Sequence, residues 1–273
     1  VRLGEFDDIH LAMMLHTTSN PAEKQMCISN TNNGTVAKRI QFIGRASHAG
    51  GAPHLGINAL NAATMALTAI NFNRETFRDE DSIRVHPIIT KGGEAVSAVP
   101  ADVRMETFVR GRTLEALMDA NTKVDRALRA GAMAVGAQVK IQTIPGYMPI
   151  QQNHGMADIF RANATELVGE ENVGYVDHRG GSTDMGDISH LMPVIHPYVG
   201  GATGLGHGAT YMIEDYELAV IKGAKALAYT AIDLLADNAS HGNTIAGGQR
   251  PDMSIPEYLK FMRDFASEET FDN

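Results

Sequence analysis

The sequence predicts an α/β protein in which one domain, residues 31–145, is inserted into another that consists of residues 1–30 and 146–273. Three observations support this prediction. Residues 31–145 alternate between strand and helix patterns in a self-contained order. Close to the start of the chain, residues 11–15 form an apolar stretch typical of a buried strand, which is an unusual place for a domain to begin. After Gly146 the pattern changes to glycine-dense segments that separate helices.

Composition indicates a globular protein and argues against several classes of function. Of the 273 residues, 44% are hydrophobic and 20% are charged, which disfavours disorder or a fibrous repeat. The net charge of −9 disfavours a nucleic-acid partner, because the phosphate backbone would be repelled. Neither a membrane-spanning run nor a secretory signal is expected. With Cys27 as the single cysteine, we expect a cytoplasmic protein without a membrane partner.

The first predicted element is a strand that ends in a histidine. Residues 11–15 are apolar and follow a polar loop, and His16 comes directly after them. Because such a strand normally lies inside a sheet, we expect the chain to start in the middle of a fold.

The inserted domain begins with a strand at 35–42, a loop rich in glycine and alanine, and an amphipathic helix. The apolar positions of that helix are spaced by three and four residues: Ile57, Leu60, Ala63, Leu67 and Ile70. A strand follows, in which Ile83, Val85 and Ile89 alternate with polar residues.

The second half of the insertion repeats this pattern. A strand at 103–110 alternates apolar and polar residues, and Thr113 is a good N-cap for the next helix, whose apolar stripe is Leu117, Val124, Leu128 and Val135. Val139 and Ile141 mark a final strand. The order β-α-β-β-α-β predicts a ferredoxin-like sandwich of one sheet and two helices.

The remainder of the chain contains predicted helices near 154–169, 215–236 and 256–267, and a strand near 173–177. Between them lie two glycine-dense segments, at 179–186 and 200–208.

Two histidines stand where an α/β fold places its ligands. His16 follows a predicted strand, and His207 lies between two glycines, which let a substrate approach closely. Neutral imidazole binds Zn²⁺ or Mn²⁺. The alternatives are a satisfied histidine at a strand end for His16 and an ordinary loop residue for His207.

Three further side chains are candidates, each with a structural alternative. Asp184 could orient a metal-bound histidine, or it could cap a helix that starts near Met185. His48 could donate a hydrogen bond to an oxyanion. Arg110 could hold a substrate carboxylate, although most arginines are solvated surface charges. A nicotinamide site would rest on the run Gly201–Gly206 alone, which lacks the βαβ context that such a site requires.

Several motifs in one order resemble a known family. They are Phe42-Ile-Gly-Arg-Ala-Ser-His-Ala-Gly50, Pro53-His-Leu-Gly-Ile-Asn-Ala-Leu-Asn-Ala62, Val85-His-Pro-Ile-Ile89, Lys91-Gly-Gly93, Val99-Pro100, Thr107-Phe-Val-Arg110, Gly181-Ser-Thr-Asp-Met-Gly186 and Gly206-His207. Together they resemble the aminoacylase/carboxypeptidase family of dinuclear metallohydrolases. The likeness is strongest to the amidohydrolase branch that holds p-aminobenzoyl-glutamate hydrolases, and it runs from about Gly4 to Asp237.

The resemblance implies a zinc-peptidase-like α/β catalytic domain, incomplete in this chain, interrupted by a ferredoxin-like lid through which two subunits form a homodimer. By position, His16 and His207 match ligands of a site for two zinc or manganese ions. His48 matches a lid histidine that reaches the partner's active site and stabilises the oxyanion. Arg110, Ser97 and Gly206 match positions beside the substrate, although Ser97 stands where the family often has asparagine.

The family's first metal motif and its Glu-Glu pair, which supplies the general base, are absent from this chain. We therefore expect an incomplete portion of a hydrolase of small N-acyl amino acids or dipeptides, inactive by itself. The alternative is a non-catalytic dimerising or ligand-binding module that kept the lid and lost the metal site.

Overall fold

Strands and helices alternate along the chain in the computed structural model, which describes residues 1–248 and 251–272. The strands are β1 (Ala12–Met13), β2 (His16–Thr17), β3 (Met26–Asn32), β4 (Gly34–Ile43), β5 (Arg84–Val85), β6 (Ile88–Lys91), β7 (Asp102–Gly111), β8 (Gln138–Pro145), β9 (Ile150–Gln151), β10 (Val173–Arg179), β11 (Val194–Ile195), β12 (Tyr198–Val199), β13 (Ala202–Thr203), β14 (Met212–Ile213) and β15 (Ser267–Phe271). The helices are α1 (Ala59–Phe72), α2 (Leu114–Met133), α3 (His154–Val168), α4 (Met185–Ser189), α5 (Gly223–Gly248) and α6 (Ile255–Phe265), and a π-helical turn, Glu217–Lys222, precedes α5.

These elements divide into two compact units. The first comprises Val1–Asn32 and Ile150–Tyr258, and the second comprises Asn33–Pro149 and the described residues from Leu259 onward. The second unit therefore contains the predicted insertion, 31–145, almost entirely. It also contains the C-terminal tail, which the sequence analysis assigned to the other domain.

The second unit is built on an antiparallel sheet with two helices. The strand order is β15-β8-β4-β7-β5, and β6 also pairs with β7. The central pair, β4 and β7, is in register from Gly34 opposite Gly111 to Ile43 opposite Asp102. Along β7, buried Val103, Met105, Thr107 and Val109 alternate with more exposed residues, as predicted. The α/β architecture with its ferredoxin-like unit is confirmed.

Helices α1 and α2 pack closely because small residues line their contact. The buried residues of α1 are Ala59, Ala62, Ala63, Ala66 and Ile70. Leu60 and Leu67, which were predicted to lie on the buried face, are only partly buried. At the start of α2, the Thr113 side chain accepts a hydrogen bond from the Ala116 backbone N–H at 3.1 Å, which confirms the predicted N-cap.

The strand predicted around Ile83–Ile89 is divided in two by His86 and Pro87. Val85 is buried, but the side chain of Ile89 is 39% exposed. The prediction that Ile89 lies on the buried face is wrong. Proline has no backbone N–H to donate to the sheet, and β6 is irregular between Ile89 and Lys91.

The C-terminal tail ends in a strand that the sequence pattern did not reveal. β15 pairs with β8 from Ser267 opposite Thr143 to Phe271 opposite Val139. Arg129 on α2 donates to both carboxylate oxygens of Glu269, at 2.9 and 2.8 Å. This pairing explains why the tail belongs to the second unit.

The first unit is a mixed sheet covered by helices. Its strand order is β10-β3-β12-β2, with β9 paired to β3, and β1 pairs in parallel with β11. Residues 11–15, which the sequence predicts to be buried, are only half-buried. The reason is that β1, which lies within this stretch, pairs with β11 alone, so that one of its sides has no neighbouring strand among the described residues.

Helices α3 and α5 supply much of the apolar core of this unit, whose buried members include Met26, Met156, Phe160, Ile195, Val199 and Leu234. Helix α5 is interrupted from Ala236 to Ala239, where the backbone leaves helical geometry, in agreement with a predicted helix end near 236. In the described part of the chain, no helix combines the length and apolar character needed to cross a bilayer.

Candidate active site

His16 stands at the start of β2 with one ring nitrogen fixed by the backbone. Its Nδ1 lies 2.7 Å from the carbonyl oxygen of Thr17. A carbonyl oxygen can only accept, so Nδ1 carries the proton and Nε2 of the neutral ring keeps its lone pair. The exposed His16 ring therefore offers a nitrogen suited to a metal ion.

His207 lies in the loop 204–211, which joins strands β13 and β14. Its backbone adopts a φ of 61°, in the left-handed region that non-glycine residues seldom occupy. Gly206 and Gly208 flank it, and residues 204–210 are exposed. The loop thus presents the imidazole without bulky neighbours.

The structure brings His16, Gly206 and His207 to one cavity. That cavity measures about 630 Å³ and is lined by His16, Thr17, Thr18, Ser19, Asn20, Gly206, His207, Gly208 and Tyr211. Thr17, Thr18, Ser19, Asn20 and Tyr211 supply hydroxyl and amide groups beside the two imidazoles.

Two imidazoles fit a divalent metal, but they form an incomplete set. Catalytic zinc usually has three protein ligands, and structural zinc has four. Within residues 1–248 and 251–272, no group of three or more His, Cys, Asp or Glu side chains is arranged to hold a metal ion. The remaining ligands of a metal at this site would have to come from other groups.

A third imidazole, His196, lies beneath His16. The side chain is fully buried, and neither ring nitrogen has a hydrogen-bond partner among the described residues. The His196 and His16 rings meet edge to face with centroids 6.0 Å apart. Burial, reinforced by the positive charge that His16 can carry, lowers the pKa of His196 to about 4, so the ring is neutral near pH 7.

Tyr198 completes the packing below His16 and is itself covered by an arginine. The Tyr198 ring lies 5.4 Å from His16 and 5.0 Å from His196, centroid to centroid. The Arg179 guanidinium sits 3.5 Å from the centre of the Tyr198 ring and donates to Glu23 Oε1 at 2.6 Å. Burial raises the pKa of the Tyr198 phenol, which therefore stays protonated. These groups form a largely buried polar cluster that packs against His16.

Asp184 occupies the N-cap position of α4, which begins at Met185 as predicted. Its carboxylate makes no capping hydrogen bond and accepts instead from the Thr183 hydroxyl at 3.3 Å. The alternative that the Asp184 side chain caps α4 is therefore wrong. Asp184 has helical backbone angles, and the Thr183 hydroxyl, rather than the Asp184 carboxylate, accepts from the Met185 N–H.

His48, in the second unit, adopts the opposite tautomer to His16. Its Nδ1 accepts hydrogen bonds from the backbone N–H groups of Gly50 and Gly51, at 3.2 and 3.0 Å. The proton of the neutral ring is therefore on Nε2, and the exposed ring edge is a hydrogen-bond donor.

Ser97 and Arg110 lie elsewhere in the same unit. The Ser97 carbonyl accepts from Ala49 N at 2.8 Å, which pairs the His48 loop with the segment before Val99 and Pro100. Arg110, near the end of β7, lies with its guanidinium 5.5 Å from the centre of the Phe108 ring. The cavity of His16 and His207 belongs to the first unit, so the roles of His48, Ser97 and Arg110 there stay predictions.

Comparison with known proteins explains these motifs. Residues 30–134 match the family model described as the peptidase dimerisation domain. The chain is 28% identical to the Xaa-Arg dipeptidase of Mus musculus over 86% of its own length. It is also 28% identical, over 51% of its length, to one of the p-aminobenzoyl-glutamate hydrolase subunits of Escherichia coli. These matches support the resemblance to the aminoacylase/carboxypeptidase family.

Solved structures with the same fold include two bacterial proteins. An aminobenzoyl-glutamate utilization protein from Klebsiella pneumoniae aligns with a TM-score of 0.65 at 17% identity, covering 85% of this chain and 56% of that one. An amidase of the hydantoinase/carbamoylase family from Burkholderia vietnamiensis aligns with a TM-score of 0.69 at 18% identity, covering 82% and 54%. The chain spans about half the length or less of the curated relatives named above: 55% of the mouse dipeptidase and 28% of the Escherichia coli hydrolase chain.

The sequence analysis did not predict that His196, Tyr198 and Tyr211 belong to the candidate site. A signal for His196 was available, because both His16 and His196 follow short apolar runs. Two such runs predict neighbouring strands with a histidine at the same end, and β2 and β12 are indeed parallel, with His16 opposite Tyr198. Nothing in the sequence indicated that the Tyr211 side chain would reach Thr17.

Proposed function

We propose that this chain carries part of the active site of an enzyme that hydrolyses the amide bond of small N-acyl amino acids or dipeptides. The observation that carries the proposal is the shared cavity of His16 and His207, two imidazoles separated by most of the chain. The named relatives, among them the Xaa-Arg dipeptidase, hydrolyse substrates of this general class, which supports the choice of reaction.

The metal of this site would be zinc or manganese, bound in part by His16 Nε2 and by His207. When bound, such an ion activates water and the scissile amide as a Lewis acid. The hydrogen bond from His16 Nδ1 to Thr17 fixes the ring that holds it, and such outer hydrogen bonds typically matter about 10- to 100-fold in metal affinity. Asp184, exposed at the start of α4, contributes negative charge near the buried His196.

In the same proposal, residues of the second unit bind the substrate. His48 donates through Nε2–H to the oxygen of the amide carbonyl as negative charge develops on it, in the active site of a partner subunit. Arg110 holds the substrate carboxylate, and Ser97 and Gly206 lie beside the bound substrate. The match to a peptidase dimerisation domain supports a homodimer formed through this unit.

Metal binding by the purified chain tests the proposal. We expect titration calorimetry to show zinc or manganese binding that weakens at least about tenfold in His16→Ala and in His207→Ala. His10→Ala is the matched control, because His10 is exposed in the same unit and lies outside the cavity. Affinity unchanged in both site variants would overturn the assignment.

Hydrolysis assays test the partial character of the site. With added zinc or manganese, we expect no turnover of Xaa-Arg dipeptides or p-aminobenzoyl-glutamate by the chain itself, because its described residues hold no third ligand. Turnover above the metal-only rate would show that the chain supplies the remaining machinery.

A further inference from the structure

The loop that carries His207 is tied to the strand that carries His16 by two hydroxyl groups. Tyr211 OH and Thr17 Oγ1 lie 2.8 Å apart and share a hydrogen bond, although 194 positions separate them in the chain. Thr17 is the neighbour of His16, and Tyr211 is the last residue of the loop that contains His207. Both residues line the cavity of the two histidines.

Apart from this bond, little among the described residues holds the part of the loop around His207 in place relative to β2. Residues 204–210 are exposed, whereas Tyr211 is half-buried. Within the loop, the Gly208 N–H donates to the Leu205 carbonyl and the Tyr211 N–H donates to the Gly208 carbonyl. These two bonds shape the turn around His207, but they do not fix its position relative to β2.

We propose that the Tyr211–Thr17 hydroxyl pair is a latch that sets the separation of the His16 and His207 rings, which makes Tyr211 a positioning residue. The role in metal binding rests on the proposed function, whereas the latch itself does not. A metal held by two imidazoles needs their nitrogens at a fixed separation, since metal–nitrogen bonds are about 2.0–2.1 Å long. The single bond between Thr17, next to His16, and Tyr211, at the end of the loop that carries His207, is placed to fix that separation.

The experiment uses Co²⁺ as a spectroscopic probe of the purified chain, together with amide hydrogen exchange of the metal-free chain. Tyr211→Phe removes only the hydroxyl. We expect it to weaken Co²⁺ binding about tenfold, to alter the cobalt absorption spectrum, and to speed exchange in residues 205–210.

Thr17→Val should reproduce these effects, and Thr17→Ser, which keeps the hydroxyl, should restore wild-type behaviour. The double variant Tyr211→Phe/Thr17→Val should be little worse than either single variant, because both remove the same bond. Tyr216→Phe is the matched control, since the Tyr216 side chain is 66% exposed and lies outside the cavity.

The outcomes separate the two proposals. Wild-type cobalt affinity and spectrum in Tyr211→Phe, with unchanged exchange in the loop, would overturn the latch, and so would additive losses in the double variant. If the loop loosens as expected but Co²⁺ binding is indifferent to His16→Ala and His207→Ala, the latch stands and the proposed function fails.

Discussion

Backbone hydrogen bonds give His16 and His48 opposite tautomers. At His16, a carbonyl oxygen accepts from Nδ1, so Nε2 is a lone-pair donor suited to a metal. At His48, two backbone N–H groups donate to Nδ1, so Nε2–H is a hydrogen-bond donor suited to an oxyanion. The backbone group beside Nδ1 thus decides whether Nε2 of a neutral imidazole offers a lone pair or an N–H.

Asp102 provides a pH-dependent test at the level of one residue. Lys91, Gln41 and Arg104 donate hydrogen bonds to its carboxylate, and those from Lys91 and Gln41 are 2.8 Å long. They lower the pKa of Asp102 to about 2. Because the folded pKa lies below the unfolded value, this stabilisation is present above about pH 4 and is lost as the pH falls towards 2.

We therefore expect Asp102→Asn to lower the free energy of unfolding by about 1 kcal/mol at pH 7, a figure reduced for solvent screening. The difference from wild type should disappear by about pH 2. Urea unfolding across this range measures it, with Glu106→Gln as the control, since Glu106 is exposed and its carboxylate lies as far as 3.9 Å from the Arg39 guanidinium. A difference that is constant with pH would contradict the assignment.

Single residues were predictable where a short motif determines the backbone. Thr113 was recognised as an N-cap, and the glycines around His207 predicted an open loop. Contacts across the chain were not predictable in this way. Lys38 falls on the buried face of β4, and only the fold reveals that Asp125 lies 2.6 Å from its ammonium group.

At the level of elements, the packing of α1 on α2 depends on a glycine. A Cβ at Gly131 would lie 2.5 Å from the Ala62 carbonyl oxygen and 2.7 Å from the Ala66 backbone nitrogen. Both are backbone atoms and cannot move aside without shifting α1. The close approach of the two helices is therefore possible only without a side chain at this position.

We expect Gly131→Ala to destabilise the second unit by about 1–3 kcal/mol. Helix propensity alone predicts the opposite sign, since alanine is favoured over glycine by about 1 kcal/mol inside a helix. Thermal unfolding decides between them. Gly247→Ala in α5 is the control, because a Cβ there meets no atom within 4 Å. Equal or greater stability in Gly131→Ala would show that the helices can separate without penalty.

Elements with regular periodicity were predictable, and those that depend on a partner were not. The helices at 59–72 and 114–133 lie where apolar spacing placed them, and the helix at 154–168 lies where one was predicted. The strand β15 escaped prediction because Ser267–Phe271 is mostly polar and gains its structure by pairing with β8. For the same reason, the sequence could not show which face of α1 is buried.

At the level of the whole molecule, the chain passes between its two units three times, and its last segment closes one edge of the second sheet. Without β15, strand β8 would be that edge. An uncovered edge strand pairs readily with another chain. In the described residues, β15 therefore covers the β8 edge of the sheet, and the opposite edge, formed by β5 and β6, has no further strand. A second copy of the chain could extend the sheet more readily at the β5 and β6 edge.

Removal of residues 267–273 tests this covering role. The deletion retains α6 but removes the pairing with β8, the Arg129–Glu269 ion pair and the Phe271 ring that packs against the core. We expect a loss of about 2 kcal/mol in unfolding free energy, part of it from the half-buried Phe271 ring. We also expect faster amide exchange along β8 and association that increases with concentration, measured by sedimentation. Deletion of residues 272–273 is the control because it leaves β15 whole. If both deletions give the same amide exchange along β8 and the same sedimentation, the prediction is wrong. β15 would then protect β8 neither from exchange nor from association with another chain.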